Sequence, residues 1–525
     1  DRLSAREQRA ASGCSVFVGG FDAAAAEGVA EADRATTDAL CAASLLVRTG
    51  ARFGCYAFVR EYAAARLAED PARAAQVADR HLEWYAAFGQ GFDRSDVQGG
   101  RAVDRDNLRA AFERACSTRP DRVAASAWAL VATFLGDVPV ESARQVLSRA
   151  LAAPLAVEER AILLARLAAV ELAVGGAAEG HAEEAVALAR ECGSSSALAL
   201  ALRALGTVRI NRGGLTEALG MLESAAELAR VDGVPVRLAR VLVNLARGQL
   251  AAGRADAAHL TLAEGERVTR AAGLEEQRAD FVRFRALVQR YQGRYAEADL
   301  SGREAIELFR AAGHLRGQLA AVESAVGLWL ELGDAARAAA GLAEMVSLQQ
   351  RLGTREIASA RWSHEGGLAK LERDWERAVR CYRVALDEAQ RTSHFIRATV
   401  ERVNLGECLV RAGQVEEGEA SIAGAVAELR AGGYHRTLGE ALAIWAWALA
   451  RRGRTIEAAE AADEAVRAVH SDHARAIAHA SAGLITVAAG GDGGPALAAA
   501  ERFAASLPPA SEARRWVDEL RAATG

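Results

Sequence analysis

Glycine recurs at intervals of 20 residues from Gly193 to Gly493, and this spacing constrains the fold more tightly than any motif in the chain. The positions are Gly193, Gly213, Gly233, Gly253, Gly273, Gly293, Gly313, Gly333, Gly353, Gly413, Gly433, Gly453 and Gly493, with Arg373, Ser393 and His473 at the three steps that miss. Thirteen of 16 steps are glycine, where 48 glycines in 525 residues would supply one or two by chance. Glycine just past a helix supplies the left-handed conformation that a residue with a Cβ adopts only at a cost. The segments between are rich in Ala, Leu, Arg and Glu, nearly free of proline, and apolar at three- and four-residue spacing. The pattern predicts helix, turn, helix, turn, in a 40-residue unit of two helices.

A second periodicity gives the packing. Five residues after every other glycine step stand Ala218, Ala258, Ala298, Ala338, Ala378, Gly418, Ala458 and Ala498. Twelve residues earlier come Gly206, Ala246, Ala286, Val326, Gly366, Gly406 and Ala446, and seven later Ala225, Gly265, Ala305, Met345, Ala385, Ala425 and Ala465. Small side chains at fixed places on both helices let their axes approach closely. This arrangement, with Asn244-Leu245-Ala246 and Asn404-Leu405-Gly406 in first helices, resembles the tetratricopeptide repeat. The family unit is about 34 residues; the longer unit here resembles the long-helix variety in sensor arms of large bacterial regulators. The resemblance implies an all-α chain, a right-handed α–α superhelix over residues 193–525. A repeat array grows by contacts between neighbours, so length sets no domain count.

Residues 1–68 do not repeat. Ser4 with Glu7 predicts a capped helix start, and further helices are expected over 22–29, 36–43 and 58–67. The stretch 44–48, the turn Thr49-Gly50 and 52–56 predict a β-hairpin. Helices with a small hairpin suggest a winged helix. The run Ser15-Val16-Phe17-Val18-Gly19-Gly20-Phe21, Ser44-Leu45-Leu46, and Arg60-Glu61-Tyr62-Ala63 with Arg66-Leu67 resemble the winged-helix segment of bacterial STAND regulators. These are signal-transduction NTPases with many domains, among them maltose-regulator-like, LuxR-type and antibiotic-regulator-like activators. Residues 69–118 resemble their helical connector, through His81-Leu82-Glu83-Trp84-Tyr85 and Asp104-Arg105-Asp106-Asn107-Leu108. Residues 119–192 form two irregular leading pairs, with turns at Gly136-Asp137 and Gly175-Gly176. At the far end, 495–506 and 511–523 are expected to cap the array, broken at Pro508-Pro509.

Composition limits function. A net charge of −5 argues against non-specific affinity for nucleic acid or anionic membranes. No run of about 18 uncharged apolar residues exists, so no spanning helix is expected. The opening Asp1-Arg2-Leu3 is read as the start of a fragment of a longer cytoplasmic protein. The seven cysteines are scattered without a C-x-x-C pair and are read as buried free thiols. The only lysine, Lys370, lies inside a helical pattern, so the phosphate loop G-x-x-x-x-G-K-[ST] is missing. No cofactor is expected in this chain, and the resemblance implies an NTPase module upstream of it.

Catalytic and metal constellations are not apparent. His470-x-x-His473 with His479 lacks the H-E-x-x-H pattern or a cysteine partner and is read as solvated histidines; a histidine-based hydrolase has no motif behind it. His364 and Lys370 show no nucleophile–base spacing. The third helix of the N-terminal region offers Arg34 between Asp33 and Asp38, a poor match to phosphates, so direct DNA binding is not expected. By resemblance, ligands meet the concave side of the first helices. Offsets from the small-residue pattern place there Arg203, Asn211, Arg247, Asp280, Arg283, Arg290, Glu323, Glu331, Lys370, Glu407, Arg411 and Trp447. The expected function is a non-enzymatic regulatory arm that binds a protein partner or effector in the superhelical groove. Its alternatives are a sensor of a small molecule, sugar or peptide, and a stand-alone interaction scaffold.

Overall fold

The computed structural model describes residues 3–91, 102–134, 140–174, 177–352, 358–392, 394–469 and 471–525. Gly136-Asp137, Gly175-Gly176, Gly353, Ser393 and His470 lie outside the described residues. The chain divides into two compact units, Asp1–Leu167 and Ala168–Gly525.

The first unit opens with the helix Ala5–Cys14, whose Ser4 hydroxyl accepts from the Glu7 amide while the Glu7 carboxylate accepts from the Ser4 amide. The helices Ala23–Ala30, Arg34–Ala42 and Ala57–Ala68 follow. The hairpin is shorter than its sequence suggests, Val47–Thr49 against Arg52–Gly54. It gains a third strand, Phe21–Asp22, antiparallel to Arg52–Gly54. That strand was hidden because Asp22 also caps the next helix, accepting from Ala25 N at 2.7 Å. The two stretches that resemble the connector come together on this sheet. Asn107, fully buried, accepts from Val18 N at 2.9 Å and donates to Gly20 O at 3.0 Å. Arg52 meets Asp104 at 2.5 Å, and His81 packs on Phe17 at 5.6 Å between ring centroids. The helices Pro71–Gly91, Arg105–Thr118, Val123–Ala132 and Val140–Leu151 extend this unit.

The second unit is an α–α superhelix. Eight pairs run from Ser195–Arg212 with Leu215–Asp232 to Asp472–Ala488 with Gly494–Ala504, and a last helix, Glu512–Thr524, follows. The glycine pattern is the pattern of turns: Gly193, Gly213, Gly233, Gly253, Gly273, Gly293, Gly313, Gly333, Gly413, Gly433 and Gly453 all have positive φ. Arg373 keeps the left-handed turn, at φ +60°, without a glycine. In the eighth pair the register slips. Gly490 takes the left-handed position, Gly493 precedes the next helix at φ −79°, and Ala500 is buried in place of the exposed Ala498. The other small positions of both helices are buried, and some admit nothing larger. A Cβ on Gly406 would lie 2.7 Å from Gly418 O, and one on Gly418 would lie 2.6 Å from Gly406 O.

Contacts are not confined to neighbours, as a simple array would have them. The turns inside the first, third and fourth pairs meet the start of a helix five units on: Gly213 faces Phe395, Gly293 faces Asp472, and Gly333 faces Ala510 at the entry to Glu512–Thr524. Tyr434 donates its hydroxyl proton to Ile210 O across the same seam. The superhelix therefore completes a turn in five units and closes on itself.

The cysteines divide by place. Cys14, Cys381 and Cys408 are buried, whereas Cys192, just past the helix Ala178–Glu191, is exposed. Among the described residues, no helix is long and apolar enough to cross a membrane.

Candidate functional site: a cavity in the superhelix

First helices carry residues three, four and seven apart on the face turned away from their partners, and in the closed superhelix these stripes converge. Together they line a cavity of about 1060 Å³. Asn211, Arg247, Arg283, Arg290, Glu331, Lys370, Glu407, Arg411 and Trp447 all border it. Arg203, Asp280 and Glu323 do not. Asp280 accepts from Arg283 at 3.1 Å, and Glu323 is taken up by Arg397 at 2.6 Å.

One end is lined by the last helix. Trp516, 1% exposed, packs edge-on against Trp447 at 5.3 Å, and the Arg411 guanidinium lies 4.8 and 4.7 Å from the two ring centroids. Arg411 also meets Glu407 at 2.9 Å and Glu519 at 3.2 Å. Lys370 sits 2.5 Å from both Glu407 and Glu512. Burial opposes its charge, but the two carboxylates outweigh it and hold the ammonium well above its usual pKa. Lys370 thus offers no free amine for covalent chemistry.

The middle is a second ionic cluster. Arg290 meets Glu331 at 2.5 Å, and His473 lies 3.6 Å from the same carboxylate. Burial raises Glu331, yet Arg290 and His473 prevail and its pKa is lowered. His473 is buried rather than solvated, because the start of its helix is pressed against the third unit's turn. His479 stacks on Phe503 at 5.5 Å. Among the described residues, no group of three or more His, Cys, Asp or Glu could hold a metal ion.

The opposite end is cationic. Arg247 and Arg283 lie close enough to repel, Arg247 without a carboxylate among the charges acting on it and Arg283 lying 4.2 Å over the Phe284 ring. His394 beside them is pushed down to about 4, by burial first and then by Arg397 and Arg247. His364 is likewise lowered to about 4 by burial.

Sequence reasoning missed His394, Arg436, Glu512, Trp516 and Glu519, all of which line the cavity. The first two belong to helix starts four units on from Arg247 and Arg290, the charges they meet, and the others to the terminal helix. Offsets within one unit carry no information about a superhelical turn.

The architecture defines the class: a superhelix of tetratricopeptide-like repeats behind a small N-terminal unit of helices and three strands. A Rap protein complexed with competence and sporulation factor shares the fold, with a TM-score of 0.52 and 12% identity over 67% of this chain and 97% of that one. The STAND protein with a tetratricopeptide repeat sensor from Pyrococcus horikoshii is matched over the whole of this chain and 66% of its own, at 12% identity and a TM-score of 0.29. The apo form of RapI is matched over 52% of this chain and 98% of its own, at 10% identity and a TM-score of 0.41. No family model and no curated protein matches the sequence.

Proposed function

We propose that the chain is the sensing arm of a bacterial signal-transduction or transcription regulator of the STAND type, and that it works without catalysis. The cavity carries this reading. It is partly open, ringed by a superhelical turn and the last helix, and about 1060 Å³ suits a small effector or a short peptide. The Rap protein of the same fold is complexed with a factor, which supports a ligand-binding use of such a superhelix. Effector binding would fix the spacing of the turns, and the connector would pass this to a nucleotide-binding module of the parent protein.

The N-terminal unit, a winged helix in this reading, serves as a docking piece. Tyr56, Phe58 and Tyr62 stand 52%, 71% and 67% exposed on and before the helix Ala57–Ala68, an apolar patch of the kind that another module covers. The helix Arg34–Ala42 carries Arg34 as its one cation, 4.0 Å from Asp38, which supports docking over DNA contact. The protein is proposed to act in the cytoplasm.

The test is thermal-shift screening of the purified chain with oligosaccharides and peptides of about five residues, repeated on Leu287→Trp, which places an indole in the cavity. Hits that raise Tm in the wild type and not in Leu287→Trp are expected. Ligands that bind both forms equally, with exchange protection confined to second helices, would refute the cavity as the sensor.

A further inference from the structure

The cavity wall reverses the charge of the chain that builds it. Nine cationic and six anionic side chains line it, in a protein of net charge −5. Three of the nine cations sit in ion pairs with lining carboxylates. Lys370 and Arg411 are matched by Glu407, Glu512 and Glu519, and Arg290 by Glu331. Of the other six, two differ in having buried guanidinium nitrogens left without a partner: Arg247 in the helix Pro235–Ala251 and Arg283 in the helix Glu275–Tyr291. Nε and Nη2 of Arg247 and Nε of Arg283 are buried without a hydrogen-bond partner. Arg283 has Asp280 for one nitrogen and the Glu323 carboxylate as a more distant counter-charge; Arg247 has no carboxylate at all among the charges that act on it.

Leaving a guanidinium buried and unpaired is costly, and such a group is retained only against that cost. Burial and the neighbouring Arg283 charge lower Arg247 to about 10, so it stays a cation at neutral pH. Guanidinium groups present donors in a fixed planar fork that matches the two oxygens of a carboxylate or phosphate. Phe284 under Arg283 holds one fork in place, and Asn211 borders the same end of the cavity. A neutral His394 adds no opposing charge.

We infer that this end of the cavity is an anion seat: Arg247 and Arg283 receive a carboxylate or phosphate group of the effector, whose remainder extends along the cavity toward Glu331 and Trp447. The inference rests on the sensing role proposed above and specifies its ligand as anionic.

Calorimetry and thermal shift with two probes, inorganic phosphate and triglutamate, test it against amidated trialanine as the uncharged control. Wild type is expected to bind one or both anions saturably and the control not at all; preference for one probe identifies the anion as phosphate or carboxylate. Arg247→Met is expected to keep or raise the ligand-free Tm, since it removes an uncompensated cation, and to weaken anion binding at least tenfold. Hydrogen exchange on the wild type gives a second reading that needs no variant: the anion should protect 235–251 and 275–291 above other first helices. Anion affinity unchanged in Arg247→Met, or protection elsewhere, would overturn the seat. If an uncharged effector binds wild type and Arg247→Met alike but not Leu287→Trp, the anion seat falls while the sensing role stands.

Discussion

Gly333→Ala measures how firmly the superhelix closes, provided it is read against Gly313→Ala. Both glycines hold left-handed turns, at φ +74° and +67°. An alanine there costs about 1–2 kcal/mol for the backbone alone. Around Gly313 a Cβ meets nothing within 4 Å, but on Gly333 it would lie 2.0 Å from Ala510 O, one superhelical turn away. Reaching the 3.4 Å of ordinary contact requires a retreat of 1.4 Å by the segment that leads into Glu512–Thr524. That helix buries Trp516, Val517 and Leu520 almost completely, each worth about 1.5–3 kcal/mol if fully exposed. A shift of this size loosens these contacts without stripping them, and tightly packed interiors register even small displacements. Gly333→Ala is therefore expected to cost about 1–3 kcal/mol more than Gly313→Ala in urea unfolding. Amide exchange over 512–524 should rise in Gly333→Ala alone. Equal costs for the two variants, with unchanged exchange at the last helix, would show that the turns do not bear on one another.

Three further outcomes are expected. Lys370→Met should destabilise the second unit by about 3 kcal/mol in denaturant titration, because Glu512 would lose its cation and Glu407 would keep Arg411 alone; a cost below about 1 kcal/mol would contradict the ionic cluster. Glu401, buried and raised to about 7 by desolvation despite Arg397, keeps in the folded state a proton that the unfolded chain loses near 4.5. Its stabilising contribution is complete below pH 4.5 and is lost as pH rises to 7, so Glu401→Gln should gain on the wild type by about 1.4 kcal/mol per pH unit across that window and then level off; parallel stability curves would refute the assignment. Ala298→Arg, at a position 1% exposed, should overpack the third pair and cost about 1–3 kcal/mol or more, visible as lost exchange protection around 275–311.

Local rules made the pairs legible, and distance made the cavity illegible. The left-handed turn after each helix and the small residues at each close approach are one-unit properties, written again in every unit. Even the misses are informative: Arg373 keeps the turn because the flanking helices dictate it, while in the last pair Gly490 takes the turn that spacing assigned to Gly493. The stripe on first helices was readable for the same reason, and nine of its 12 named residues reach the cavity. Which carboxylate answers which cation was not readable. Lys370 with Glu512 joins residues 142 positions apart, and only the superhelical pitch brings them together. The strand Phe21–Asp22 escaped because two residues carry no alternation to detect.

The seam between successive turns has a consequence for how such a chain can vary in length. An open array tolerates the gain or loss of a unit, because each unit needs only its neighbours. Here Gly213 is matched to Phe395, Gly293 to Asp472 and Gly333 to Ala510, like threads cut to one pitch. Removing a single 40-residue unit from between them would mate every thread with the wrong groove and set Lys370 and Arg411 opposite strangers. The number of units between mated positions is therefore fixed by the wall they share, and variation in length is confined to the two ends.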